Sequence, residues 1–263
     1  MAIGNSRESF VKNEDGLRAN RGGYDGVLQI LRYNAHYYVG TLLALLVVLT
    51  LVWLQWLPRL IQATLLGAAG LAVFWFLSSL IVSYYVYDYA AVTQWNWLPQ
   101  TLLHPPRRWL NIHAGLDQLF PETEHVVLDI YDSQEMTEPS IARARRARPS
   151  QYSAVPCRLD ALPLPDRDRD TVFLLFAAHE IRNPARRVAF FRQAARVLTA
   201  PGQALLVEHL RDWKNFVAFG PGCLHFHSRR EWLRIAREAG FRLEQEGCVT
   251  PFVRRFVMSR STG

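Results

Sequence analysis

Apolar and polar positions are distributed unevenly along the chain. Within residues 37–86 the only charged side chain is Arg59. Pro58-Arg59 divides this stretch into apolar segments 39–57 and 60–86, and each is long enough as an α-helix to cross a hydrocarbon core of about 30 Å. The pattern predicts a helical hairpin that crosses a membrane twice. A pair of buried core helices is the alternative, and the length of the two segments speaks against it.

The ends and the flanks of the two segments favour the membrane interpretation. Aromatic side chains are concentrated near the ends, as expected for lipid headgroup layers: Tyr37, Tyr38, Trp53, Trp56, Tyr84, Tyr85 and Tyr87. Gly67 and Gly70 would let the two helices approach closely. Residues 1–36 carry five basic side chains, whereas the link between the segments carries only Arg59. The positive-inside bias therefore puts both termini in the cytoplasm, with the hairpin in the inner (cytoplasmic) membrane.

The rest of the chain alternates strand-like and helix-like segments. Short apolar runs occur at 109–112, 126–130, 155–159, 171–176 and 205–210. A helix is predicted from Asn183-Pro184 to about Leu198, because Asn caps helices well and Pro suits their first position. A second helix starts at the capping box that opens with Ser228. Two closing strands, 241–246 and 252–258, should pair antiparallel.

This alternation predicts an α/β fold with a mostly parallel sheet. We expect three parts in the chain: a cytoplasmic N-terminal segment 1–36, a two-helix transmembrane hairpin 37–87, and a domain 88–263.

Composition narrows the class of protein. Half of the 263 residues are apolar, which excludes disorder as the main state. Three widely separated cysteines form neither a disulfide framework nor a zinc motif. The net charge of +7 comes almost wholly from arginine, and no basic stripe with stacking aromatics is present, so we expect no nucleic-acid partner. The arginine groups 143–148, 229–230 and 254–255 either face anionic lipid or form a solvated surface.

Three stretches carry a family resemblance: 157–166 (CRLDALPLPD), 170–180 (DTVFLLFAAHE) and 196–202 (RVLTAPG). Their content and spacing resemble class I S-adenosylmethionine-dependent methyltransferases, over about residues 105–258. They are similar to the small-molecule and lipid branch, which includes quinone-biosynthesis and phospholipid N-methyltransferases. Tyr87-Asp88 also resembles the Tyr-Asp element that precedes the core in that branch. The resemblance implies a Rossmann-like sheet whose last strand is antiparallel, and S-adenosylmethionine as cofactor.

The resemblance also implies which residues hold the cofactor. Asp129 would accept hydrogen bonds from the ribose hydroxyls, with Asp132 as its competitor. Asp160-Ala161 would meet the adenine, although Asp160 could instead be only a turn cap. Phe176, after the next strand, completes this group.

The glycine-rich turn of the family corresponds to residues 110–117. Asn111 replaces the usual acidic residue, where it could accept a hydrogen bond from the methionine ammonium. His113 and Asp117 stand where glycines are expected, and Gly115 remains. The resemblance assigns Asn111, His113 and Gly115 to cofactor binding.

The same comparison places His179 and Glu180 where the family contacts the methyl acceptor. His209 ends the following strand, on the edge where a parallel sheet binds its ligand. We expect these three residues to be catalytic, although His179 and His209 could also serve only to hydrogen-bond the rim of the sheet. His225 and His227 lie on a nearby loop, but the spacing of the histidines matches no zinc pattern, and no metal site is predicted.

These observations predict a membrane-anchored methyltransferase that acts on a lipid or another apolar small molecule. Two alternatives remain open. One is a methyltransferase fold that has lost cofactor binding and serves as a partner or regulatory subunit. The other is a different enzyme that binds another nucleotide-like ligand on the same sheet. The sequence does not indicate an oligomeric state.

Overall fold

The computed structural model describes residues 23–90, 92, 95–115, 125–147 and 154–261. The predictions that concern residues 1–22, Asp117 and Arg148 lie outside these ranges.

Three helices open the described chain: α1 (Asp25–Tyr33), α2 (Ala35–Trp53) and α3 (Arg59–Tyr84), followed by a π-helical turn (Tyr85–Tyr89). Helix α2 and the segment Arg59–Tyr89 are long and apolar enough to cross a membrane. Their boundaries agree with a break at Pro58, which directly precedes α3.

The two apolar helices meet at a different place from the one expected. A Cβ atom added at Gly67 or Gly70 would meet nothing within 4 Å, so the prediction that these glycines permit close approach is wrong. Contact occurs instead at Tyr38, whose hydroxyl lies 3.4 Å from Oγ of Ser79 and whose ring meets Phe76 edge-on. The hairpin is therefore joined near the end that adjoins the domain.

The domain contains a seven-stranded sheet with the order β3-β2-β1-β4-β5-β7-β6. Strands β3, β2, β1, β4 and β5 are parallel, and β7 is antiparallel to both β5 and β6. The strands are β1 (Trp109–His113), β2 (His125–Asp129), β3 (Val155–Pro156), β4 (Arg169–Leu175), β5 (Leu198–His209), β6 (Phe241–Thr250) and β7 (Val253–Arg260). The predicted fold class, an α/β fold with a mostly parallel, Rossmann-like sheet and an antiparallel final strand, is confirmed. The strand order reverses between β1 and β4.

Among the described residues of the domain, four α-helices accompany the sheet: α4 (Pro139–Ala147), α5 (Pro184–Val197), α6 (Trp213–Phe219) and α7 (Arg229–Glu238). The predicted caps of α5 and α7 are present. Asn183 accepts hydrogen bonds from the backbone of residues 185 and 186, and Ser228 accepts one from Glu231. On one face of the sheet, Leu110 and Ile112 belong to a core that includes α5 and α7.

The other face of the sheet carries the end of the apolar hairpin. Val86, in the π-helical turn, is fully buried in a core that includes Trp109 and Phe173. Val82 and Ser83 are buried as well, although the sequence placed them within the second span. The last turns of the segment 60–86 are therefore packed within the domain.

Helix α3 also contacts α6, on the domain side. The rings of Trp75 and Phe216 meet edge-on with centroids 5.5 Å apart, and the Ser78 hydroxyl donates to the Val217 carbonyl over 3.2 Å. Gly220 follows α6 at φ +57°, and a Cβ there would lie 2.5 Å from the Trp75 indole. Only glycine fits this junction, since both the backbone conformation and the space exclude a side chain.

Candidate functional site

A cavity of about 210 Å³ lies where the strand order reverses, between the carboxyl ends of β1 and β4. Its walls come from α1, Tyr87, the loop at 114–115, helix α4 and the segment 175–180. In open sheets with parallel strands, the crevice at such a switch point is where ligands bind. This position makes the cavity the candidate site.

Tyr87-Asp88 attaches α1 to the domain and so forms one wall of the cavity. Both carboxylate oxygens of Asp88 accept backbone hydrogen bonds at the start of α1, from Gly26 at 2.6 Å and from Val27 at 2.8 Å. A Cβ at Gly26 would lie 2.6 Å from Cβ of Tyr87, so glycine is needed for this approach. The acidic cap also suits the positive end of the helix dipole. The role of Gly26 was not anticipated from the sequence.

Phe176, which follows β4, lines the cavity with a backbone φ of +52°. Residues other than glycine rarely adopt this conformation, and those that do are concentrated at functional sites. Its ring lies edge-on to Tyr87. The chain then turns sharply into a short 3-10 segment (Ala178–Glu180) that brings two predicted catalytic residues to the cavity wall.

His179 lies between two carboxylates. Its Nδ1 is 2.7 Å from Oε2 of Glu208, and its Nε2 is 3.1 Å from Oε1 of Glu180. Glu208 is fully buried and also accepts the backbone N–H of His179. Burial opposes the charged form of His179, but the charges of Glu208 and Glu180 outweigh it and raise its pKa to about 10. Burial raises the pKa of Glu180, but the His179 charge and the hydrogen bonds of Glu180 lower it overall.

Two further side chains complete this cluster. His225 reaches it from the loop before α7, with Nε2 3.7 Å from Oε1 of Glu180 and Nδ1 3.3 Å from Oε1 of Glu138. Arg182 lies 3.6 Å from Oε2 of Glu180, donates to the His225 carbonyl and contacts both ring nitrogens of His225. Glu138 and Arg182 were not singled out from the sequence.

His209 lies beneath the cavity wall and is not among the residues that line the cavity. Its Nδ1 is 3.0 Å from the Phe252 carbonyl, so Nδ1 carries the proton and Nε2 accepts from the Tyr87 hydroxyl 2.9 Å away. Burial and the nearby His179 charge lower the pKa of His209 to about 4, which keeps it neutral. The structure thus gives His209 contacts that hold Tyr87 in place, while its catalytic role stays a prediction.

Asp129 already has a partner in the place where the resemblance puts a ribose. Arg145 of α4 forms a two-pronged ion pair with it, at 3.0 Å to Oδ1 and 2.6 Å to Oδ2. Oδ1 also accepts the backbone N–H of Tyr131, and the Arg145 guanidinium lies 4.2 Å from the centre of the Tyr131 ring. The competitor Asp132 caps a turn through the backbone of Gln134. Arg145 therefore occupies the Asp129 carboxylate.

Of the residues that correspond to the family's glycine-rich turn, some line the cavity and others do not. Asn111 and His113 are buried in β1 and outside the cavity lining. Gly115 does line the cavity, and a Cβ there would lie 3.1 Å from the side chain of Ile141 on α4. Helix α4 thus closes over this turn at the point where the chain has glycine.

Asp160 and Ala161 lie in an exposed turn outside the cavity lining. Arg158 binds the Asp160 carboxylate through two hydrogen bonds, at 2.9 and 2.8 Å. These contacts join two side chains, so both the adenine contact and the turn-cap alternative stay predictions.

Two of the arginines that could have faced lipid have partners within the protein. Arg143 donates to the Tyr33 carbonyl and lies 2.6 Å from Nδ1 of His36, while Arg229 binds Glu246. Arg229 remains 54% exposed in this ion pair, so the choice between a lipid-facing and a solvated surface stays a prediction. Arg143 ties α4 to the junction of α1 and α2.

Comparison with known proteins finds distant likenesses among solved structures. No family model and no curated protein matches the sequence. An S-adenosylmethionine-dependent methyltransferase from Aquifex aeolicus is 18% identical over 58% of this chain and 81% of its own, with a TM-score of 0.43. One from Leishmania major is 16% identical over 69% and 76%, with a TM-score of 0.47. The [4+2]-cyclase SpnF is 13% identical over 67% and 82%, with a TM-score of 0.44. Identities this low do not indicate the reaction, which has to follow from the site.

Proposed function

We propose that the chain is a membrane-anchored S-adenosylmethionine-dependent methyltransferase that acts on a lipid or another apolar small molecule. The observation that carries the proposal is the cavity at the switch point of the sheet, with His179 and Glu180 in its wall. A sulfonium is already an activated methyl donor, so such an enzyme needs mainly a dry, shaped pocket and correct placement of the acceptor.

The residues fit the whole cofactor only after one rearrangement. The cavity of about 210 Å³ is smaller than the roughly 300–1,000 Å³ of most ligand pockets. The carboxylate proposed for the ribose, Asp129, is held by Arg145. In the described conformation the adenosyl half is therefore closed, and cofactor binding requires Arg145 to leave Asp129. Gly115 and the backbone after β4 already border the open part of the site.

An apolar acceptor is favoured by the connection between the cavity and the first apolar helix. Tyr33 and Asn34 line the cavity, and α2 begins at Ala35. The cavity thus adjoins the helix pair that is long and apolar enough to cross a membrane. An acceptor dissolved in the bilayer would reach such a pocket without passing through water.

Exposed apolar side chains on α6 lie beside the apolar helix α3. Trp213, Phe216 and Val217 are exposed by 72%, 44% and 47%, and α6 contacts α3 directly. Tryptophan and neighbouring apolar residues at this level suit a headgroup layer. We propose that both termini and the domain lie on the cytoplasmic side. An even number of crossings returns the chain to its starting side, and residues 1–36 carry five basic side chains against one in the link between the apolar segments.

Two measurements test the proposed function. The purified full-length chain in detergent would be titrated with S-adenosylmethionine and S-adenosylhomocysteine by calorimetry. The same protein would then be incubated with methyl-labelled S-adenosylmethionine and lipid extracts, with heat-denatured protein as control. We expect saturable binding and label in the organic-soluble fraction. Label that stays in the aqueous phase despite cofactor binding would contradict the apolar acceptor.

One observation favours the second candidate, a methyltransferase fold without cofactor binding that serves as a partner or regulatory subunit. That observation is the Asp129–Arg145 ion pair. If neither the wild-type chain nor Arg145→Ala binds S-adenosylmethionine at millimolar concentration, this second candidate replaces the first.

A further inference from the structure

We propose that His179, Glu180 and His225 form a binding site for one divalent transition-metal ion such as Zn²⁺. The side-chain ligand atoms of these three residues all lie within 4.8 Å of one another. Two imidazoles and one carboxylate are a common ligand set for catalytic zinc, with a fourth position left for water or substrate.

The orientation of the two histidines carries the inference. Each presents Nδ1 to a carboxylate, His179 to Glu208 at 2.7 Å and His225 to Glu138 at 3.3 Å. Each presents Nε2 to the same third carboxylate, Glu180, at 3.1 and 3.7 Å. A carboxylate on Nδ1 with Nε2 aimed at a shared point is the usual outer-shell arrangement around metal-binding histidines.

The central carboxylate supplies a second, independent observation. Glu180 is only 8% exposed, and its Oε2 is buried without a hydrogen-bond partner. Arg182 lies 3.6 Å from this oxygen, too far for a hydrogen bond. A buried carboxylate oxygen without a hydrogen bond is unfavourable, and a metal ion is one of the ligands that satisfy it.

The charges of the cluster agree with a divalent cation. Glu180, Glu208 and Glu138 contribute three negative charges, and Arg182 contributes one positive charge, which leaves two negative charges when the imidazoles are neutral. On binding, the ion would replace the proton that Nε2 of His179 directs at Glu180, and this proton would pass to solvent. Arg182 competes for the same place, since it contacts the His225 ring and Glu180.

The use of the ion rests on the proposed function. His179 and Glu180 line the cavity, so the open coordination position would face a bound acceptor. A metal ion lowers the pKa of a bound hydroxyl group, which would suit an acceptor that is methylated on oxygen. The substrate class is then an apolar molecule with a hydroxyl group.

Metal binding is tested without the methyl donor, so its outcome is separate from that of the proposed function. The full-length chain in detergent would be stripped with a chelator, then titrated with Zn²⁺ by calorimetry and with Co²⁺ by visible absorption. We expect one ion per chain, no detectable site in His225→Ala, and at least tenfold weaker binding in Glu180→Gln. Because Glu208 is fully buried, Glu138→Gln is the outer-shell variant of choice, with a loss of about 10- to 100-fold.

Two variants distinguish this site from accidental binding. His104→Ala is the matched control, because His104 contacts the Pro201 backbone near the amino end of β5, away from the cluster. The Zn²⁺ affinity of this variant should equal that of the wild type. Arg182→Gln removes the competing cation and should tighten binding by about tenfold or more. The proposal is overturned if neither the wild type nor Arg182→Gln binds Zn²⁺ at millimolar concentration, or if His225→Ala binds as well as the wild type.

Discussion

Replacing Arg145 by alanine should tighten the binding of S-adenosylmethionine. The reason is competition, since the guanidinium of Arg145 and the hydroxyl groups of a cofactor ribose would use the same carboxylate, Asp129. In the wild-type chain the ion pair has to open before a ribose can bind, and in Arg145→Ala the carboxylate is available from the start.

The size of the effect follows from the geometry of the pair. Two charge-assisted hydrogen bonds, at 3.0 and 2.6 Å, connect the side chains. Such bonds contribute about 1.5–3 kcal/mol when buried, whereas exposed ion pairs contribute about 0–1 kcal/mol. The Arg145 side chain is 32% exposed and that of Asp129 is 12% exposed, so an intermediate value of about 1.4 kcal/mol applies. That free energy corresponds to about tenfold in the dissociation constant.

The assay is calorimetric titration of the full-length chain in detergent. Arg146→Ala is the matched control, because Arg146 is an exposed neighbour on the same helix, and its affinity should equal that of the wild type. Asp129→Ala should bind at least tenfold more weakly than the wild type. In the double variant, the Arg145→Ala change should no longer tighten binding, because the contested carboxylate is gone. Unchanged or weaker binding by folded Arg145→Ala would refute the competition.

Three further outcomes are expected. Gly220→Ala should lower the free energy of unfolding by about 2–4 kcal/mol, because its Cβ would collide with the Trp75 indole at an unfavourable φ, and thermal unfolding measures this. Asp88→Ala should cost about 1–2 kcal/mol through loss of the α1 cap and should accelerate hydrogen exchange within α1 above all. Burial lowers the pKa of His209 to about 4, below its unfolded value of about 6.5, so its stabilising contribution is complete above pH 6.5 and is lost as the pH falls toward 4. Denaturant titrations should show this loss, and it should be smaller in His209→Asn than in the wild type by up to about 3 kcal/mol.

The fold could be predicted from the sequence because its signals are local. Apolar runs separated by capped helices indicate a parallel sheet, and the caps Asn183 and Ser228 are where the pattern put them. The glycines of the second apolar segment misled, because small residues permit close packing but do not show which face meets the partner helix. A Cβ atom at Gly67 or Gly70 would meet nothing within 4 Å, whereas Tyr38 of α2 contacts Ser79 of α3.

The site was harder to predict because its contacts join distant parts of the chain. The run of arginines in 143–148 does not by itself indicate which side chain faces the interior. Helical spacing does put Arg145 on the same face as Ile141, which is buried. The four-residue spacing between Ile141 and Arg145 was therefore the sequence signal that could have indicated the ion pair with Asp129. His225 meets His179 through a loop more than forty residues away, and no local pattern reports such a contact.

The short join between α1 and α2 has a mechanical consequence. Asn34 alone separates the helix that walls the cavity from the apolar helix that follows, and Arg143 fastens the same joint to α4 by binding the Tyr33 carbonyl. A change in the tilt of α2 would therefore move α1, which forms a wall of the pocket, because a single residue links the two helices. If the hairpin crosses a bilayer as proposed, the lipid thickness, which influences helix tilt, would then affect the shape of the pocket.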